Sequence, residues 1–75
     1  MDCKPKLNKQ LTGDRIYQAI DKSKITKEKI AEELGLKSPR VIYEWTNGKK
    51  LPKLEHLVHL SWMLGVRIED LLVIE

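Results

Sequence analysis

Apolar residues recur at helical spacing in five short blocks of the chain, separated by glycine, proline and small polar residues. The first block, DRIYQAIDKSK, places Ile16, Ala19 and Ile20 at i, i+3 and i+4, with Tyr17 and Gln18 off the stripe. Thr12 reads as its N-cap, and the helix should end near Ser23 or Lys24. The second block, TKEKIAEEL, is capped by Thr26 and sets Ile30, Ala31 and Leu34 on one face, with Lys27, Glu28, Lys29, Glu32 and Glu33 around the rest. Gly35 stops it, because glycine takes the left-handed conformation without a Cβ penalty. Ser38 and Pro39 open a third helix: serine caps free N–H groups, and proline at the first helical position loses no hydrogen bond. Its apolar face is Val41, Ile42 and Trp45, its end is Asn47-Gly48, and its other face carries Arg40, Tyr43, Glu44 and Asn47. The run LEHLVHLSWMLG predicts a fourth helix with Leu54, Leu57, Val58, Leu60 or Ser61, and Leu64 inward, closed by Gly65. Residues 66–72 read as a fifth, with Ile68, Leu71 and Leu72 inward. The pattern predicts an all-α fold of five short helices.

Residues 1–11, MDCKPKLNKQL, show no period and contain Pro5, so they read as a flexible basic arm ahead of a domain over residues 12–75. At 75 residues and 41% hydrophobic content the core must be small. Enclosing a substrate pocket on the order of several hundred Å³ is hard for such a scaffold, which favours a binding module over an enzyme. Cys3 is the single cysteine and forms no internal disulfide, which suits a reducing compartment. No apolar run approaches the roughly 18 to 20 residues of a membrane span, and the first ten residues do not resemble a signal peptide, so the expected location is the cytoplasm.

Net charge is +3, and its distribution says more than its size. Residues 36–53 hold Lys37, Arg40, Lys49, Lys50 and Lys53 against Glu44 alone, whereas residues 54–75 hold Arg67 against Glu55, Glu69, Asp70 and Glu75. A basic middle beside an acidic end suits one surface that meets a polyanion and another that meets something else, such as a second copy; solvated helix faces would give the same counts. The basic middle coincides with two short helices joined by a glycine-containing turn, the helix-turn-helix arrangement. In it the first helix (residues 26–34) braces the second (residues 38–47), which is narrow enough to lie in a major groove roughly 12 Å wide.

The chain resembles the lambda-repressor-like, Cro and repressor type (XRE) helix-turn-helix regulators over residues 13–72. The residues that carry the resemblance are Ile16, Ile25-Thr26, Ile30-Ala31, Leu34-Gly35-Leu36, Ser38, Ile42, Trp45, Gly48, Pro52, Leu57, Leu60, Leu64-Gly65-Val66 and Leu71, including the spacing Trp-x-x-Gly-x-x-x-Pro. The resemblance implies a compact five-helix DNA-binding domain, commonly a homodimer on a palindromic operator in double-stranded DNA. One residue more separates Gly35 from Trp45 than the common family spacing, which predicts a bulged turn over residues 36–38. Lys27 stands where the family usually has glutamine, at a position that bonds a phosphate, a task a lysine performs as a point charge.

By the same resemblance, Arg40 at the start of the third helix is the first candidate for a base contact, its guanidinium forking onto guanine O6 and N7. Ser38, Tyr43 and Glu44 are its neighbours: Glu44 could accept from a cytosine amine or pair with Arg40 four residues earlier, and Tyr43 could meet a thymine methyl or a phosphate. Lys27, Lys37, Asn47, Lys49 and Lys50 are candidates for phosphate contacts, with Lys4, Lys6 and Lys9 as an arm on the duplex. Trp62 lies off the apolar stripe where the family usually has a polar residue. With Leu72, Val73 and Ile74 it is the candidate dimer contact, the alternative being that it folds back on the N-terminal arm.

His56 and His59, at i and i+3, lack a third ligand at sensible spacing, so no metal is expected. No catalytic set, cofactor or small-molecule ligand is suggested either. The resulting expectation is a sequence-specific transcriptional regulator, a repressor in the first instance. A protein-interaction module or antitoxin on the same fold, working through Trp62 and the C-terminal apolar residues, is the alternative.

Overall fold

The computed structural model describes residues 5–75, so the expectations placed on Cys3 and Lys4 lie outside the described residues. Within them the chain forms α1 (Lys9–Ser23), α2 (Lys27–Leu34), α3 (Arg40–Thr46), α4 (Leu54–Leu64) and α5 (Ile68–Leu71). α1 packs against α3, α4 and α5, and α2 packs against α4. Between them lie Ile16, Ile20, Ile30, Ala31, Ile42, Trp45, Leu57, Leu60 and Leu71, all buried. Of the six inner positions read from α1 and α2 as helical stripes, Ile16, Ile20, Ile30 and Ala31 are buried and Ala19 and Leu34 are half-buried against them, with Ala31 allowing close approach.

α1 starts a turn earlier than its apolar stripe predicts. Asn8, in extended conformation, is the N-cap, and its side-chain oxygen accepts the Leu11 N–H at 2.9 Å. The stripe hides this turn because Lys9 and Gln10 are polar and Leu11 is exposed. Thr12 is thus not a cap but a fully buried residue of α1, and its Oγ1 accepts the Val73 N–H at 3.0 Å. The chain before α1 is likewise tied down: Asn8 N–H donates to the Val73 carbonyl and Glu75 N–H to the Lys6 carbonyl, each at 2.8 Å, with an isolated antiparallel bridge between Leu7 and Ile74. Of the arm expected over residues 1–11, residues 6–8 lie against the C-terminus and 9–11 belong to α1.

The ends of α2 and the glycine stop of α4 follow the sequence closely. Thr26 Oγ1 accepts the Lys29 N–H at 3.1 Å, and Gly35 closes α2 at φ 73° while the Leu36 N–H reaches the Ala31 carbonyl at 2.8 Å. α5 has four residues rather than the seven expected, since Leu72 is already extended and carries Val73 to its hydrogen bonds with Thr12 and Asn8. In α4 the inward positions are Leu57 and Leu60, with Met63 and Leu64 half-buried against the core. Leu54 and Val58, expected inward, are 71% and 51% exposed, because they lie at i and i+4 on a stripe that continues to Trp62, which is 78% exposed.

Gly13 sets the distance between α1 and α3. A Cβ there would lie 2.4 Å from the Trp45 carbonyl oxygen, 3.1 Å from the Thr46 carbonyl oxygen and 3.1 Å from the Gly48 nitrogen, so the two backbones meet with no side chain between them.

Candidate nucleic-acid interface

α3 turns Ile42 and Trp45 into the core and Arg40, Tyr43 and Asn47 outward, at i, i+3 and i+7 of one face, with Glu44 partly exposed beside them. The Pro39 carbonyl accepts N–H groups from both Ile42 (3.0 Å) and Tyr43 (3.2 Å), and Ser38 Oγ accepts the Arg40 N–H at 3.4 Å. Ser38 and Pro39 precede α3 as the sequence suggests, but the N-cap is Pro39, which offers no side-chain acceptor, and the first helical residue is Arg40; Ser38 stands one position before the cap instead of acting as it. Behind α3, the Trp45 indole meets the His56 ring of α4 at 5.4 Å between centroids, which fixes the back of the helix to the scaffold. The five residues 35–39 between α2 and α3 carry exposed Lys37 and Ser38 at the N-terminal end of that outward face.

At the other end the chain makes a tight, hydrogen-bonded loop. The Glu44 carbonyl accepts N–H groups from Lys49 (3.0 Å) and Lys50 (3.2 Å), and Asn47 Oδ1 accepts the Lys49 N–H at 3.1 Å. Gly48 permits this at φ 81°, pressed against Gln10 so that a Cβ would sit 2.7 Å from the Gln10 amide oxygen. Lys49 and Lys50 are exposed on this loop. The Glu44 carboxylate lies 3.9 Å from the Lys50 ammonium; this replaces the Arg40–Glu44 pairing that the i, i+4 spacing allows, because the loop folds Lys50 back over the helix end. The Arg40 guanidinium is in no ion pair among the described residues.

Lys27, the first residue of α2, has its ammonium 5.2 Å from the centroid of the Tyr17 ring and 5.0 Å from that of Tyr43. Both distances lie within the roughly 6 Å over which a cation is held by an aromatic face. Next to it a cleft of about 240 Å³ is lined by Tyr17, Ile20, Asp21, Lys24, Ile25, Thr26 and Lys27. On the C-terminal side, the His59 ring meets Trp62 edge-on at 6.1 Å, so each histidine of the i, i+3 pair serves a tryptophan. Among the described residues no group of three His, Cys, Asp or Glu side chains is placed to hold a metal ion, and no helix is long and apolar enough to cross a membrane.

The helix-turn-helix family profile matches residues 16–71, three quarters of the chain. The chain belongs to this family. Its XRE-type members are DNA-binding regulators, and the fold agrees with three solved structures. The helix-turn-helix chain shares 15% identity with the DNA-binding domain of BldD (TM-score 0.71, covering 88% of this chain and 94% of that one). It shares 17% with the restriction-modification controller protein C.AhdI from Aeromonas hydrophila (TM-score 0.74, covering 85% and 91%). With the clp gene regulator ClgR from C. glutamicum it shares 21% (TM-score 0.75, covering 93% and 88%). No curated protein sequence matches the chain.

Within this helix-turn-helix, Arg40 and Tyr43 lie on the outer side of α3 with Glu44 partly exposed beside them, Lys37 and Ser38 precede its N-terminal end, and Asn47, Lys49 and Lys50 follow its C-terminal end. Lys27 joins them through Tyr43. Trp62 and Ile74 are exposed, whereas Leu72 is half-buried against the core and Val73 is half-buried with its amide held by Thr12. Tyr17 is a residue that sequence reasoning passed over. Lying off the apolar stripe of α1 was its only signal, and its partner Lys27 is ten residues away in another helix. Leu54 and Val58 were missed as surface residues because leucine and valine at i and i+4 look the same whether the stripe faces in or out.

Proposed function

We propose that the chain is a sequence-specific, double-stranded-DNA-binding transcriptional regulator that lays α3 in the major groove and acts as a repressor by occupying its operator. The observation that carries this is the outward face of α3: Arg40, Tyr43 and Asn47, with Glu44 beside them, on a helix whose inward residues Ile42 and Trp45 are locked in the core. A face with no packing duty and a basic loop at either end is suited to reading base edges between two rows of phosphates. Arg40 reads guanine, with Ser38, Tyr43 and Glu44 contacting neighbouring bases. Lys27, Lys37, Asn47, Lys49 and Lys50 hold the backbone. Asn47 already spends its side-chain oxygen on the Lys49 N–H, which leaves its amide N–H₂ group for a phosphate.

The protein works in the cytoplasm as a homodimer on a palindromic operator, presenting two α3 helices roughly 34 Å apart. Exposed Trp62 and Ile74, with the flanks of Leu72 and Val73, form the contact between copies; the stripe of Leu54 and Val58 extends it along α4.

Fluorescence anisotropy with labelled duplexes at several salt concentrations tests the assignment of residues. Arg40→Ala should lose preference at one base pair, by roughly 1 to 3 kcal/mol, while Lys49→Ala weakens every sequence alike and flattens the salt slope by about one unit. Equal losses from Arg40→Ala on all sequences would remove its base-reading role.

A further inference from the structure

Three helices converge on the Lys27 ammonium: α2 supplies the lysine, α1 supplies Tyr17 and α3 supplies Tyr43. The two rings lie at nearly equal distances, 5.2 and 5.0 Å, and each is half exposed, so the cluster stands at the surface rather than in the core. Among the described residues no carboxylate comes within ion-pair distance of this ammonium; Lys29, two residues on, pairs with Glu32 and Glu33 instead. Ring faces orient a cation without neutralising it and without consuming its N–H donors. A lysine normally gives up several rotatable bonds when it takes a phosphate, a cost that a stem already held in place avoids.

We propose that Tyr17 and Tyr43 clamp Lys27 as a pre-set ligand for a phosphate of the DNA backbone, which makes Tyr17, on the helix outside the two-helix motif, a positioning residue for DNA binding. The same clamp ties the N-terminus of α2 to the reading face of α3, so the phosphate contact and the aim of α3 are set together. This inference rests on the DNA-binding reading. It adds that the ring face of Tyr43 serves Lys27 while its exposed edge remains toward the duplex.

Tyr17→Leu should weaken binding of the full chain to every duplex about three- to tenfold, the range set by ordering one long side chain. The salt slope should stay unchanged, since Lys27 still reaches its phosphate. Tyr17→Phe should bind as the unsubstituted protein does, because the ring face is kept. Lys27→Met should lower the salt slope by about 0.9, and Tyr17→Leu added to it should have no further effect. In the free protein, NMR should find the Lys27 side-chain methylene protons shifted upfield by the rings, and less so after Tyr17→Leu. The clamp is overturned if Tyr17→Leu binds within twofold of the unsubstituted protein, if its loss persists in the Lys27→Met background, or if Tyr17→Phe loses as much as Tyr17→Leu. Failure of the unsubstituted protein to bind any duplex at low salt would overturn the DNA reading and the phosphate role together. Binding by it alongside an unaltered Tyr17→Leu overturns the clamp alone.

Discussion

Replacing Gly13 by alanine adds one methyl group where α1 and α3 touch backbone to backbone. The new Cβ would meet the Trp45 carbonyl oxygen at 2.4 Å, about 1 Å inside an ordinary contact, with a second carbonyl and an amide at 3.1 Å. All three neighbours are main-chain atoms at the end of α3, so no flexible side chain can move aside. Overpacking of this kind costs about 3 kcal/mol, at the upper end of its usual range. Alanine returns about 1 kcal/mol through its higher helix propensity inside α1. The net expectation is a loss of about 2 kcal/mol, which for a domain of this size lowers the melting temperature by roughly 8 to 16 °C. Thermal unfolding followed by circular dichroism at 222 nm measures it, with Asp14→Ala on the exposed side of the same helix as the reference. A Gly13→Ala protein that melts at or above the unsubstituted temperature would refute the close approach of the two helices. The frame that aims α3 would then need another explanation.

Thr12→Val keeps the shape but removes the acceptor of the Val73 N–H, and should cost about 1 to 3 kcal/mol while speeding hydrogen exchange at Val73; Thr12→Ser should restore both, and unchanged exchange would sink the idea. Among the described residues Lys24 is the one non-glycine residue with positive φ, at 65°, so Lys24→Gly should relieve left-handed strain and raise stability by about 0.5 to 1 kcal/mol in urea unfolding; a lower midpoint would contradict this. Trp62→Ser should leave the melting temperature of the monomer nearly unchanged, since the indole is 78% exposed, and, on the proposed contact between copies, should shift sedimentation toward monomer; an unaltered sedimentation profile would refute that contact.

Most of the frame is legible in the sequence because helix ends and inner stripes are local properties. Thr26, Gly35, Gly65 and the Ser38-Pro39 pair each act through a bond to a residue within five positions, and Ile16, Ile20, Ile30 and Ile42 occupy the core by period alone. Other features depend on partners far along the chain. Thr12 looks like a cap until Val73, 61 residues away, claims its hydroxyl, and Asn8 becomes the cap only because the C-terminal residues hold the segment before it. Tyr17 carries no local sign that it shares Lys27 with Tyr43. At the proposed interface, residue types and their order on α3 are readable in the sequence, whereas the choice of Lys50 over Arg40 as the partner of Glu44 depends on the loop's geometry.

Selection from a random duplex pool with the purified chain, followed by sequencing, tests the central claim most directly. The account predicts an enriched inverted repeat whose half-sites are centred about 34 Å apart along the DNA, with one guanine in each half-site losing its preference when Arg40→Ala is used instead. No enrichment, with binding that merely fades as salt rises, would contradict reading of sequence by α3, and no binding at any salt would move the function to the apolar surface around Trp62.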